Sequence, residues 1–346
     1  MALTARTKAL VGALSTIVVV GAAVAGYLVL SGNSGAIPFL GGTRDEPTLC
    51  PLTNTETESP RLAARTSVAV KVENSSESRP QAGLNEADIV YEEPVEGGIT
   101  RFVAIYHCET AARIGPVRSA RFVDPSLLLQ FGQPIFGYSG AAGPVISAVA
   151  QAGGIQDVRQ DTHPDAYELD PNRSAPHNVY TSLKALLQAG SKRTAAPEAV
   201  FEYDEEPPAR EDSKRGREVH LDFSTDADVY WRFDRESGVY ERLHGETPHA
   251  TEDGEQVTAQ NVIVQVVELR DSGIVDAAGN PSPEVVAVGS GDAYVLRDGR
   301  LIEGTWERGA DGDVTRFLDS TGEVIPLAPG RAWVELFPSD LVVETS

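Results

Sequence analysis

"VEGGITRFVAIYHCETAARIGPVRSARFVDP", residues 95–125, passes from a glycine pair through an apolar run into a second glycine and two closely spaced arginines. Its first third, ITRFVAIYHCE, reads as a strand rich in β-branched and aromatic residues. Two more strands precede it, TSVAVKVEN from residue 66 and DIVYEE from residue 88. In the first of these, Val68, Val70 and Val72 alternate with Ala69 and Lys71, the pattern of a strand with one buried face. Downstream, Asp124-Pro125 before SLLLQF is a cap followed by a first-turn proline. Pro144 opens VISAVAQAGG, and Thr181 or Ser182 caps LKALLQAG. Strands alternating with short helices predict a layered α/β domain over residues 65–192.

Residues 193–217 are dense in charge and proline, the composition of a linker. Beyond them come short strands with turn signals and no helical period. A β-rich domain is expected over 218–346, with a hairpin turn at Asp298-Gly299. The expected class is α+β.

The amino-terminal region differs in texture. After Arg6 and Lys8, residues 9–30 carry no charge and are long enough, as a helix, to cross roughly 30 Å of hydrocarbon. The two basic residues put 1–8 in the cytoplasm and the remainder outside, so a single-pass membrane protein with an extracytoplasmic bulk is expected. A cleaved signal peptide is the competing reading, although its apolar core is normally shorter. Residues 31–64, rich in Gly, Ser, Thr and Pro, read as a tether. Cys50 and Cys108 are the only cysteines, and outside the cytoplasm a Cys50–Cys108 disulfide is their simplest use. Two separate buried thiols are the alternative.

The net charge is −22, and removing the contributions of Arg6 and Lys8 leaves −24 on the rest. Nucleic acid is therefore excluded as a partner, because phosphate-backbone affinity needs clustered cations. Neither a P-loop nor GxSxG, HExxH or CxxC occurs, so no cofactor or metal is expected.

Several phrases then converge on one family. VENSSESRPQAGLNEADIVYEEPVEGGITRFVAIY, IGPVRSARF and APHNVY, with VYWRFDRESGVYERLHGETPH, AQNVIVQ, GTWER and APGRAWVEL in the second half, resemble the YerB-like bacterial envelope proteins, a domain of unknown function. The resemblance covers about residues 66 to 340. It implies an exported, membrane-associated protein of two parts, and no activity comes with it. Many relatives are lipoproteins, whereas this chain has an apolar segment and no cysteine placed for lipid attachment.

Guanidinium groups beside flexible backbone suit an anion site. Arg101, Arg118 and Arg121 are the candidate pocket, with the amides after Gly115-Pro116 as further donors. Glu92, Glu93 and Glu96 could instead pair with these arginines in a purely structural network. His177 and Asn178 in RSAPHNVY could assist a bound anion, or merely satisfy a tight loop. Glu92 with Glu96 could form an acid/base pair acting on wall glycan. Ser139 in GYSG is a lone serine without a located base, and HGETPH, holding His244, Glu246 and His249, reads as a solvated hairpin loop. The leading expectation is a non-catalytic ectodomain that binds a small anionic wall or envelope ligand at the junction of its two parts. A wall-acting hydrolase or transferase and a pure scaffold are the alternatives.

Overall fold

The structure is a computed structural model that describes residues 47–57, 59–190, 195–209, 211–276 and 279–346. The expected anchor, 9–30, lies outside the described residues, as do 1–8 and the tether as far as Glu46. Among the described residues no helix is long and apolar enough to cross a membrane. Pro47–Ser346 forms one compact unit.

The first half contributes β1 (Val68–Glu73), β2 (Ile89–Pro94), β3 (Thr100–Tyr106), β4 (Ile135–Gly137), β5 (Gln156–Asp157) and a small pair, β6 (Tyr167–Leu169) and β7 (Val179–Thr181). The second contributes β8 (Lys214–Arg215), β9 (Glu218–Ser224), β10 (Ala227–Asp234), β11 (Val239–His244), β12 (Thr247–Pro248), β13 (Thr258–Ala259) and β14 (Asn261–Val267). A hairpin follows, β15 (Leu269–Val275) with β16 (Pro281–Val285). Then come β17 (Gly289–Arg297), β18 (Arg300–Arg308), β19 (Arg316–Leu318), β20 (Ala332–Pro338) and β21 (Glu344–Thr345). No α-helix forms among the described residues after Ala189. The molecule is thus mixed α/β and strand-rich, with several sheets.

Eleven strands make one mixed sheet in the order β19-β18-β17-β14-β20-β2-β3-β1-β4-β5, with β8 added against β18. Its centre is the parallel pair of β2 and β20, where Ile89 lies opposite Ala332 and Glu92 opposite Glu335. The two sequence textures on either side of residues 193–217 therefore share a sheet. A second sheet, β12-β11-β10-β9-β21 with β13, covers one face, and Trp231 from it meets Trp333 of the large sheet edge to face at 5.1 Å. The helices Val123–Leu128 and Gly143–Gln151 cover the other face, contributing Leu127, Leu128, Val145 and Val149. With layers on both sides, the side chains of β1 are all buried, Lys71 and Glu73 among them. The one-sided strand read from its alternation is corrected on that point.

Several local readings match. Asp298 and Gly299 take φ of 53° and 68° between β17 and β18, the left-handed pair that a two-residue hairpin turn requires. The Ser182 side chain accepts the Ala185 N–H at 3.2 Å and caps the helix Leu183–Ala189. Asp124 behaves differently. It lies inside the helix Val123–Leu128, and its carboxylate accepts the Arg121 N–H and the Lys71 ammonium.

The disulfide joins Cys50 to Cys108, just beyond the end of β3. Within the stretch expected to be a tether, the described residues from Pro47 to Ala63 are folded, because this link and the burial of Leu52 and Thr53 hold them to the body. Cross-linking residues 58 apart removes loop entropy from the unfolded chain worth about 2–4 kcal/mol. Replacing both cysteines with serine is expected to lower unfolding free energy by about that much, measured by denaturant titration against the oxidised parent. A loss under about 0.5 kcal/mol would show that the segment is held without the bond.

Candidate functional site

β1, β3 and β2 are neighbours, and their register places Glu73 and Glu93 on either side of Arg101. All three side chains emerge on the helix-covered face, along with Lys71. Four cations and four carboxylates collect here and sort into separate clusters.

Lys71 is fully buried. It pairs with Glu93 and, at 2.8 Å, with Asp124, both equally buried. Burial pushes the Glu93 carboxyl up, against the pull of the Lys71 ammonium, and the charge of Asp124 adds to the rise.

Next to this cluster, Gly97 and Gly98 both take positive φ, 72° and 75°, so the chain can turn tightly between β2 and β3. The turn carries Glu96 to Arg121, whose Nε donates to it at 3.1 Å and whose Nη2 also reaches it. Burial alone would raise the Glu96 pKa, but hydrogen bonds from Arg121 and Ser282, with the Arg121 charge, hold it below the ordinary carboxylate value. Arg118 places its Nε 3.0 Å from Glu73, and His177 Nδ1 lies 2.9 Å from the other Glu73 oxygen. The amides expected to be free are spent: Gly115 exchanges hydrogen bonds with Ala82, the Val117 N–H donates to Val179 and that of Arg118 to Lys71.

Arg101 is the exception. It is only 5% exposed, its Nη1 donates to the Ser119 carbonyl at 3.1 Å, and its buried Nε has no partner. Burial first, then the charges of Arg121 and Arg118, lower its pKa to about 9, against the opposing pull of Glu96 and Glu73. A cavity of about 520 Å³ opens here, lined by Arg101, Arg118, Arg121, Glu96 and Ser119, and by Ala141, Ala142, Ile274 and Val275 among the apolar residues.

The fold therefore brings the three arginines and Glu96 together. His177 joins through Glu73, a residue that sequence reading did not single out, although its alternation with Lys71 on β1 places it on the same face. Asn178 is half-buried, and its carbonyl accepts the Asp170 N–H at 2.8 Å. Glu92 is not brought to the cleft. It projects from the opposite face of β2, is fully buried, and pairs with Arg242 at 2.6 Å. The pairing of Glu92 with Glu96 as acid and base is corrected accordingly. Ser139 spends its hydroxyl on Gln160 at 2.6 Å.

HGETPH is a hairpin as expected, with Glu246, Thr247 and Pro248 exposed at its tip, but its histidines are not solvated. His249 is buried, and both His249 and His244 contact Arg242 Nη1, at 2.8 and 2.9 Å. Burial first, then the Arg242 charge, depresses both imidazoles so that they stay neutral. Among the described residues no group of His, Cys, Asp and Glu could hold a metal ion.

The two families described as "Protein of unknown function (DUF3048) N-terminal domain" and its C-terminal counterpart match residues 52–196 and 219–334. The chain belongs to the DUF3048 family. This DUF3048 chain is 30% identical over 298 residues to the Bacillus subtilis (strain 168) protein named "Putative lipoprotein YerB", spanning 83% of this chain and 86% of that one. The crystal structure of YerB from Bacillus subtilis superposes with a TM-score of 0.73 at 25% identity, covering 86% of this chain and all of that one. The likeness thus takes in both halves of the DUF3048 architecture.

Proposed function

We propose that this protein is a membrane-tethered, extracytoplasmic binder of a small anionic ligand, taken up in the cleft of Arg101, Arg118 and Arg121. The observation that carries the reading is Arg101. Buried charges are normally paired, and the neighbouring cations each have a carboxylate of their own, whereas Arg101 makes one bond to a carbonyl and faces a cavity. An incoming anion would supply the missing partner at a place already desolvated, where charge-assisted hydrogen bonds are strongest. The address outside the cytoplasm is supported by the Cys50–Cys108 disulfide, by the apolar stretch 9–30 and by the lipoprotein name of the Bacillus relative.

The test is calorimetric titration of the full-length chain and of Arg101→Gln with small anions, inorganic phosphate and acetate included. A charge-assisted hydrogen bond contributes about 1.5–3 kcal/mol. The native chain is therefore expected to bind at least one anion saturably, and Arg101→Gln to bind it about 10–100-fold more weakly. Equal binding by the two chains, or none by either, would refute the assignment.

A further inference from the structure

Resting on that reading, we infer that the cleft takes a single free carboxylate carried by a peptide whose last side chain is small and apolar, and that it rejects phosphate dianions. Charge decides between the two. Around the cavity the three guanidiniums of Arg101, Arg118 and Arg121 face three carboxylates, Glu73 behind Arg118, Glu96 on Arg121, and Asp276 on the rim. Asp276 is held in place by the Asn280 N–H at 2.8 Å and its side-chain amide at 3.0 Å. Counted together these charges cancel, but Asp276 is turned to Asn280 and Arg101 touches no carboxylate. One negative charge can be met by Arg101, the cation without a carboxylate, but a second would be buried without a partner in a strongly acidic protein.

The backbone adds a field suited to an oxyanion of low charge. Ala141 and Ala142 line the cleft at the start of the nine-residue helix Gly143–Gln151. Its first turn has no side-chain cap and no acidic residue; Pro144 lacks an N–H and the Val145 and Ile146 N–H groups turn back to the Ala142 carbonyl, so the helix end offers the cleft its positive dipole more than free donors. A nearly buried guanidinium with an unpartnered Nε lies on the same cavity, which makes the helix end more than an isolated feature.

One side of the cleft is apolar. Ile99, Ile274 and Val275 with the two alanines form it, and the other polar groups on the cleft are already engaged, the Ser119 hydroxyl donating to the Ser139 carbonyl and Asp276 accepting from Asn280. The volume, about 520 Å³, is of the order that encloses a small ligand and suits the last two residues of a chain.

The experiment compares three probes on the full-length chain: N-acetyl-Ala-Ala with a free carboxylate, the same dipeptide as its carboxamide, and inorganic phosphate. Val275→Asp is measured alongside, because Val275 is 63% exposed and an added carboxylate there leaves the core untouched. The acid is expected to bind about tenfold or more tightly than the amide, with phosphate weaker still, and Val275→Asp to weaken the acid several-fold. Phosphate binding with no preference for the acid would overturn the carboxylate assignment and leave the anion cleft standing. Binding of acid and amide alike would overturn it too, since the charge would then not be read. No binding of any probe would defeat both the assignment and the cleft it rests on.

Discussion

Replacing Arg242 with leucine is expected to lower unfolding free energy by about 3–5 kcal/mol. Arg242 is fully buried on β11. It donates to Glu92 of β2 and contacts His244 and His249, while its guanidinium lies 5.4 and 5.6 Å from the ring centroids of Phe102 and Trp333. Beside Glu92 lies Glu335, its partner in the β2–β20 register, whose carboxyl accepts the Trp231 indole N–H at 2.7 Å. Burial pushes the Glu335 carboxyl well above the ordinary carboxylate range, and the charge of Glu92 pushes it the same way, which favours its protonated form. One guanidinium thus balances one carboxylate in a sealed site that joins the two sheets. Leucine would leave the Glu92 carboxylate buried without its cation, held only by the Asn74 amide at 3.1 Å and the Thr100 hydroxyl at 2.6 Å. The companion change Glu92→Gln should recover much of the loss, because a neutral pair of similar shape carries no such penalty. Denaturant titration of the two single variants and the double variant measures this. A loss under about 1 kcal/mol for Arg242→Leu, or additive losses in the double variant, would contradict it.

Lys71→Met should cost a similar amount, about 3–5 kcal/mol near neutral pH, with a distinctive dependence on acidity. The ammonium is the cation shared by Glu93 and Asp124 in a fully buried cluster. In the native chain Glu93 already titrates above its ordinary value, chiefly because it is buried. A carboxyl raised in the folded state stabilises fully below its unfolded pKa, and that contribution is lost as pH rises through the folded value. Removing Lys71 withdraws the attraction that moderates the rise, so Glu93 should titrate higher still. The deficit of Lys71→Met is therefore expected to be large at pH 8 and to shrink as pH falls toward 5. Unfolding curves across that range, native against variant, test it. A deficit independent of pH would mean that lost packing, and no charge, accounts for the change.

The strands at Val68, Ile89 and Thr100 were legible because β-branched runs lay between turn signals, and the Asp298-Gly299 hairpin because its backbone tolerates few other residues. What joins them was not. β20 inserts beside β2 across more than 200 residues of chain, and no local period records that pairing. The burial of Lys71 and Glu73 escaped notice for the same reason, since alternation marks one face as apolar but says nothing of a second layer supplied from elsewhere. The arginines of the cleft were legible as a group, because GGITR and GPVRSAR set them beside turns. Their division into capped and uncapped members was not, because it depends on Glu73 reaching Arg118 across strands while Arg101 receives no carboxylate. At HGETPH the exposed hairpin tip was legible, but the inward turn of both histidines was not, because it depends on Arg242.

The central claim, that Arg101 is a buried cation awaiting an anion, is tested most directly by following its side-chain Nε–H resonance. The full-length chain would be labelled with nitrogen-15, the signal assigned by its loss in Arg101→Lys, and N-acetyl-Ala-Ala titrated in. The account predicts that this signal shifts saturably, with those of Arg118 and Arg121 moving less. A signal that stays fixed while the peptide binds elsewhere, or while nothing binds, would contradict it.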